Sequence, residues 1–513
     1  MRYDVAIVGY GPVGQTLALN LGRNGHRVGV FERNDSLHGQ PRAGGGDGEI
    51  MRLLQNLGVA EELEPLFQPS LAFDLVDKDF NVLRVGGDHG VSTTGWLPWY
   101  LYHQPDVEGA LDKAIRELDN VDVFLGRSVL GIEQDADYGR LIVDGPEGRS
   151  TVEATYVIGA DGARSQTREW LGVKQIDLGF EPASYVVVDI KHKDPTVEIP
   201  LMNLMRQVLD PARPHFASRW NGTEHSRCEF AVMPDDDLDA IVEPENVMKM
   251  LEEFWDIDRS NTTIVRSTIY TFRSKVAETF RVGRFFLAGD AAHLMPPFLG
   301  QGLCSGLRDM ANLAWRLDLV LSGRASVRVL DDYTPERKPH VEAIARASAS
   351  MADICIRLDP ATMDDAAREA FRTAKSADFD RKYFHGTVAS DAALSGEYFM
   401  QARVHHDGRT GRLDDLFGNG WRLISTRKTD LSALDPELGR WCSTFLEVIP
   451  VSRGRLAGVA IDIDAAYSSW FRTHGVDFVI ERPDHYLFGA GKLDDLPDVL
   501  GQLRELIGTP QAA

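Results

Sequence analysis

Three short glycine-bearing segments, far apart in the chain, carry residue types able to hold a large anionic cofactor against backbone. The first, Gly9-Tyr10-Gly11-Pro12-Val13-Gly14, follows the apolar run Val5–Val8 and precedes the helix-forming stretch Gln15–Leu21. A second strand-like run, Arg27–Phe31, ends in Glu32, 23 residues after Gly9, with Arg33 beside it. Glycines at this spacing allow a tight turn and close approach of a pyrophosphate to a helix N-terminus, and the acid can accept hydrogen bonds from a ribose. Strand, turn, helix and acid all stand in order, so the segment reads as a dinucleotide-binding βαβ unit. The second segment is Gly159-Ala160-Asp161-Gly162, which ends the strand expected at Tyr156–Ile158. The third is Gly289-Asp290, which breaks the strand expected at Phe285–Ala288 and leads through Pro296-Pro297 to Gly300-Gln301-Gly302-Leu303. That loop is small and poor in charge, and the helix it opens offers unpaired N–H groups and a positive dipole end, suited to an anion or an electron-rich ring edge.

The elements that must position these segments follow from periodicity. From Leu303 the apolar residues Leu307, Met310, Ala314, Leu317 and Leu321 recur at steps of three and four, which predicts a long helix with one buried face. Pro41–Gly48, with Arg42 as its cation, reads as a mobile glycine-rich loop followed by a surface helix at Glu49–Leu57. Such a guanidinium could pair with a phosphate or a cofactor edge. Phe73–Val85 predicts strands about a turn at Asp79-Phe80-Asn81. The aromatic run Gly95–Gln104 reads as core, with Gln104 placed before a helix at Pro105–Leu118. Val121–Val143 predicts a β-meander, and Tyr185 to Tyr270 a sheet with few helices. A long helical region is expected from Asp331 to about Arg381. The last part, with strands at Trp421–Thr426, Phe445–Val451, Val476–Glu481 and Tyr486–Gly489 and helices at Ala465–Thr473 and Asp495–Ile507, has a thioredoxin-like order. Cys442 has no partner cysteine there, so packing or oligomerisation is the expected role, a homodimer being one such assembly.

Composition narrows the function classes. A formal charge of −22 disfavours a nucleic-acid or anionic-membrane surface, and an anionic substrate would need a local arginine to overcome that field. The four cysteines form no C-x-x-C, which argues against a disulfide framework or a zinc site and fits a reducing cytoplasm. Apolar runs stop short of 18 residues, so neither a membrane span nor a membrane partner is expected. No metal is expected.

Taken together, Gly9-x-Gly11-x-x-Gly14, Asp161-Gly162 and Gly289-Asp290, in this order, resemble the single-component (class A) FAD-dependent aromatic hydroxylases. The resemblance covers residues 1 to about 345 and continues more faintly to the end. Pro41-Arg42-Ala43, Asp210–Pro214, Val232-Met233-Pro234 and Gly289–Pro296 are most similar to the branch that hydroxylates 3-hydroxyphenylalkanoates. Where that branch has an acidic and apolar run after Pro-Arg-Ala, this chain has Gly44-Gly45-Gly46-Asp47-Gly48, a departure that bears on the substrate.

The resemblance implies an α/β fold. A Rossmann-like FAD-binding domain of the aromatic hydroxylase type (1–180 and 276–400) would carry an inserted α+β substrate sheet (181–275, with 71–102 contributing) and a thioredoxin-like C-terminal domain (401–513). It implies that Gly9, Gly11, Gly14, Glu32 and Arg33 hold the ADP half of FAD, and that Asp290, after Gly289, binds the ribityl chain. Pro296, Pro297, Gly300, Gly302 and Leu303 would lie beside the isoalloxazine, and Asp161, Arg42 and Gln104 would touch the cofactor. The implied reaction is NADH- or NADPH- and O2-dependent hydroxylation of a small aromatic substrate ortho to a phenolic hydroxyl, through a C4a-hydroperoxyflavin. The residues themselves leave the substrate base open: His293, His215, Tyr102 and Tyr185 are candidates. Arg206, Arg213, Arg219 and Arg227 could clamp a carboxylate. A hydroxylase of larger polyketide-type aromatics and a non-catalytic flavin- and aromatic-binding sensor are the alternatives.

Overall fold

The computed structural model describes residues 1–508 except 71, 88–91, 147, 203–204, 221–223, 375–381 and 432–433. Its organising element is a parallel sheet in the order Phe285–Leu287, Ser150–Gly159, Arg2–Val8, Val28–Phe31, Val121–Phe124. Arg2–Val8 is buried on both sides along most of its length, which is why Val5–Val8 reads as a continuous apolar run. The parallel strands aim their C-terminal ends the same way, so the turns at Gly9, Ala160 and Gly289 all emerge at one edge, where open α/β sheets bind ligands. The meander expected from Val121 is corrected. Val121–Phe124 joins the parallel sheet beside Val28–Phe31, and only Ser128–Gln134 and Gly139–Asp144 run antiparallel onto Ser150–Gly159.

A second sheet of seven strands takes the order 262–272, 183–192, 225–231, 215–220, 205–209, 73–77, 82–86. One face, with Val186, Val188, Cys228 and Phe230, packs on the helix Pro244–Trp255. The opposite face, with Tyr185, Val187 and Ala231, packs against Phe298 in the proline-bearing loop. Alternation along each strand therefore decides which side chains look towards the cofactor loops.

Two further expectations are corrected around residues 41–57. Gly45–Asp47 is a buried strand paired with Trp99–Leu101, and the helix Gly48–Asn56 is buried over most of its length. The glycines there serve close packing rather than mobility. A Cβ on Gly44 would lie 2.5 Å from the Trp220 indole, and one on Gly48 would lie 2.5 Å from the Leu97 carbonyl oxygen.

The helix Gln301–Leu321 buries Leu307, Met310, Ala314 and Leu317 of its predicted apolar face, with Leu303 and Leu321 partly buried, but Arg308, Asp309, Asn312 and Arg316 on its polar side are buried as well. What covers them includes the helix Tyr333–Arg357 and the C-terminal domain. The helical region after Asp331 breaks at Leu358 and resumes at Asp365–Thr373; its expected end near Arg381 lies outside the described residues. The C-terminal strands Trp421–Ser425, Leu446–Ser452, Phe478–Glu481 and Leu487–Gly491, with helices Pro436–Cys442, Ala466–His474 and Leu496–Ile507, keep the thioredoxin-like order.

This domain docks through buried ions. Arg52 donates to Asp414 (2.7 Å) and Glu481 (3.0 Å), and Arg422 pairs with the same two acids at 2.8 Å each. Arg482 and Arg316 both reach Glu336 at 2.6 Å. Burial alone would raise the Glu336 carboxyl, but Arg316 and Arg482 override it and hold it down to about 2. Glu336→Gln is therefore expected to cost about 3–5 kcal/mol at neutral pH, because buried Arg316 loses its counter-charge and Arg482 is left with Asp484 alone. A depressed carboxyl contributes its full stability above its unfolded value of 4.5 and loses it as pH falls towards about 2. The difference in unfolding midpoint between native chain and variant should narrow over that window; a gap that stays constant would rule out charge as its source. Among the described residues, no helix is long and apolar enough to cross a membrane, and no cluster of His, Cys, Asp and Glu could hold a metal.

Candidate functional site

The first turn is built by steric exclusion. Gly9 has φ +103°, and a Cβ there would sit 2.5 Å from the Ala160 carbonyl oxygen, so the first and second glycine turns touch. A Cβ on Gly14 would lie 2.2 Å from the Gly9 carbonyl oxygen. A Cβ on Gly306 would come within 2.6 Å of Val13 and 3.3 Å of the Gly289 backbone, which brings the third turn onto the first helix. Yet a Cβ on Gly11, Gly162 or Gly302 meets nothing within 4 Å. Each motif thus has glycines locked by the fold and one that faces open space.

Both helices that start at this edge, Pro12–Arg23 and Gln301–Leu321, lack a capping side chain and have no acid in their first turn. Their N–H groups and dipole ends are left for an anion. Glu32 closes the cradle, accepting from the Tyr10 N–H (3.0 Å) and the Asn34 N–H (2.9 Å), while Arg33 is exposed next to it. Asp161 is turned inward: its carboxylate accepts from the Ser165 hydroxyl (2.5 Å) and from the Thr167 N–H and hydroxyl (3.0 Å each), so it shapes the turn.

The Gly289-Asp290 turn hangs on Asp309. One oxygen of that carboxylate accepts from the Gly289 N–H (2.9 Å) and lies 2.6 Å from His293 Nε2; the other accepts from Arg337 Nε (2.7 Å). Burial would raise Asp309, but His293 and Arg337 hold it below the ordinary carboxylate range. Asp290 itself is half-buried, and burial raises its carboxyl against the pull of His293 and Arg42. Beyond it, the Pro296 carbonyl accepts from the Ser348 hydroxyl (2.6 Å), Pro297 is exposed, and Gly300 takes φ +63° against the Trp99 ring, turning the chain into the helix that Gln301 begins. Leu303 is partly buried one turn in.

The backbone at Arg42 is clamped from two sides. Gln104 Oε1 accepts from the Arg42 N–H (3.1 Å) and the Ala43 N–H (2.7 Å). From the inserted sheet, Arg227 donates to the Arg42 and Pro41 carbonyls (2.6 and 2.9 Å), and Arg266 donates to the Pro41 carbonyl (2.8 Å). Asp189 holds both arginines at 2.9 Å. The Arg42 guanidinium is left exposed, 3.5 Å from His38.

Three candidate bases are placed elsewhere by the fold. His215 lies on the far face of the inserted sheet among Phe230, Phe254 and Trp255, where burial pushes it down to about 4. The strand alternation that puts Phe216 towards the cofactor loops puts His215 away from them. Tyr102 donates its hydroxyl to the Gly45 carbonyl (3.1 Å) and stacks on Phe67, so it staples two strands. His293 is fixed on Asp309 in the core, with its Nδ1 lacking a partner. Tyr185, by contrast, has a buried hydroxyl with no partner among the described residues and packs edge-on against Phe298 at 5.9 Å. Asp309, Arg337, Arg266 and Glu229 escaped the sequence reading. For Asp309, the signal was a charged pair, Arg308-Asp309, set between the apolar residues Leu307 and Met310 of the helix.

Comparison with known proteins bears on the family and the fold. The FAD binding domain family matches residues 2–348, and the HcaD C-terminal domain family matches 396–506. A probable NADH-specific resorcinol 4-hydroxylase of Rhodococcus jostii is 34% identical over 98% of this chain and 94% of its own length. A 3-(3-hydroxy-phenyl)propionate/3-hydroxycinnamic acid hydroxylase of Burkholderia vietnamiensis is 33% identical, over 95% and 93%. Among solved structures, the flavin-dependent monooxygenase PieE in complex with FAD and substrate superposes with a TM-score of 0.84 at 21% identity, covering 99% of each chain. Aklavinone-11 hydroxylase with FAD and aklavinone gives 0.81 at 23%, covering 98% of this chain and 99% of the other. These last two likenesses bear on the fold. With a family match over most of its length and relatives aligned nearly end to end, the chain belongs to the FAD-dependent aromatic hydroxylases, flavoprotein monooxygenases with FAD as cofactor.

Proposed function

We propose that the chain hydroxylates a phenol ortho to its existing hydroxyl, with NADH as reductant and O2 as co-substrate. The observation that carries this is the meeting of three glycine turns, each open to a ligand, beneath a sheet face that bears an unpartnered tyrosine hydroxyl. Bound in that cradle, FAD supplies redox exchange with the nicotinamide and the activation of oxygen. Gly11, Gly14 and the helix start they frame would hold its pyrophosphate, Glu32 its ribose and Asp290 its ribityl chain. The backbone from Pro296 to Gly302, with Leu303, would border the ring. Gln104 and Arg227 hold the Arg42 segment, which would lie against the cofactor with the Arg42 cation towards solvent. Val187, Ala231, Phe272 and Phe298 make the substrate side apolar and exclude water, while Tyr185 offers the phenol a hydrogen bond. NADH follows the name of the resorcinol hydroxylase relative.

The test is NADH and NADPH oxidation by the FAD-loaded protein against a panel of phenols, with product identified. Stimulation by a phenol and stoichiometric hydroxylated product support the reading; oxidation that no phenol accelerates sinks it. Asp290→Ala should lose a hydrogen bond from a charged group, about 1.5–3 kcal/mol, or about ten- to a hundredfold in FAD affinity. Fluorescence titration with FAD checks this, and native affinity would remove Asp290 from the cofactor site.

A further inference from the structure

Resting on the phenol hydroxylase reading, we infer that the substrate is an uncharged phenol whose hydroxyl is received by Glu229, and that Glu229 turns away aromatic acids. The strand His225–Ala231 alternates: Cys228 and Phe230 enter the core against the helix Pro244–Trp255, so Arg227, Glu229 and Ala231 point the other way. Arg227 on one side of Glu229 reaches the Pro41 and Arg42 carbonyls, and Ala231 on the other packs with Tyr185 and Phe298. Glu229 is thus placed between the cofactor loop and the proline-bearing loop. Its cross-strand neighbours are Val187 and Phe216, and Tyr185 and Asp189 are its diagonal neighbours.

The Glu229 side chain is 14% exposed, and its one ion pair among the described residues is a long 3.9 Å approach to Arg227 Nε, which is already donating to Asp189 at 2.9 Å. Among the described residues, its carboxylate has no hydrogen-bond donor. Burial raises the carboxyl, with Arg227 opposing, and an acceptor of that kind gains most from a donor the substrate brings. A phenolic O–H supplies that donor; a second carboxylate supplies only a like charge in a desolvated site.

The candidate arginines of the inserted sheet are either committed or turned away. Arg206 donates to Asp74 and the Leu201 carbonyl, and Arg213 to Asp236 and the Ala231 carbonyl. All three nitrogens of Arg227 are engaged. Arg219 shares the far face with His215 by strand alternation.

A matched pair tests this without confounding size: 3-(3-hydroxyphenyl)propionate and its primary amide, with resorcinol alongside. Each is titrated into the FAD-loaded protein and binding is read from the flavin absorbance. The amide and resorcinol should bind at least about tenfold more tightly than the acid, the scale on which like charges discriminate partners. Glu229→Gln should narrow the gap between acid and amide while FAD content and circular dichroism stay native. Equal binding of acid and amide to the native protein would overturn the inference, whether or not the variant folds; so would a gap that the folded variant leaves intact. Product formation measured in parallel keeps the two readings apart. Failure to hydroxylate any phenol defeats the reaction, and the acid-to-amide ratio judges Glu229 by itself.

Discussion

Asp309→Asn is expected to destabilise the protein and to weaken FAD binding together, although it preserves shape and volume. The native carboxylate is surrounded by donors: the Gly289 N–H and His293 Nε2 on one oxygen, Arg337 Nε on the other. An amide can present its oxygen to only one side, and its NH2 then faces a donor on the other. If the oxygen keeps Gly289 and His293, Arg337 is left as a buried cation without its partner, at a cost of about 3–5 kcal/mol. If it keeps Arg337, the Gly289 N–H loses its acceptor and the turn that presents Asp290 is released. Either way the cofactor edge of the sheet changes. Thermal unfolding of the FAD-free protein and FAD titration would both move. A variant with native midpoint and native affinity would show that the turn is held by its own backbone.

Much of this fold is legible in the chain because its signals are local. Gly9-x-Gly11-x-x-Gly14 with Glu32, and Gly289-Asp290 before Pro296-Pro297, mark turns whose backbone conformation only a short menu of residues can adopt. The segment Pro41–Gly48 misled for a physical reason. Four glycines in eight residues signal either freedom or close approach, and which one applies depends on Trp220, Trp99 and Leu97, none of which is near in sequence. The same holds for the Gln301–Leu321 helix. Its apolar stripe predicts one buried face, but burial of Arg308, Asp309, Asn312 and Arg316 requires counter-charges from Asp47, Glu49, Arg337, Glu336 and Asp484.

At the site, side-chain direction was the missing information. His215 and Glu229 occupy neighbouring strands of one sheet, and a single step of alternation sends the first away from the cofactor loops and the second towards them. Tyr102 and Tyr185 are both buried tyrosines, but one hydroxyl has a carbonyl partner and the other has none. Residue type nominated His215, Tyr102 and Tyr185 and passed over Glu229; only register and partners separate the four.

The glycines of the first turn offer the sharpest separation of fold from function. Gly14 is needed by the fold: its Cβ would lie 2.2 Å from a backbone oxygen that cannot swing aside, since Gly9 is itself held at φ +103° against Ala160. Gly14→Ala is therefore expected to destabilise the protein with or without cofactor. Gly11 is different. Its φ of −74° and ψ of 178° suit any residue, and a Cβ there meets no atom of the described residues within 4 Å. Gly11→Val should fold, at a cap cost of no more than about 1 kcal/mol. On the proposed reading, it fills the space through which a pyrophosphate would reach the N–H groups of the Pro12–Arg23 helix. FAD affinity should fall at least about a hundredfold, which at 1.4 kcal/mol per tenfold is about 2.8 kcal/mol. Circular dichroism and thermal unfolding of the FAD-free proteins, set beside FAD titrations, distinguish the two substitutions. Normal FAD binding by Gly11→Val would mean that the open space is not where the pyrophosphate lies, and native stability in Gly14→Ala would mean that the turn can yield.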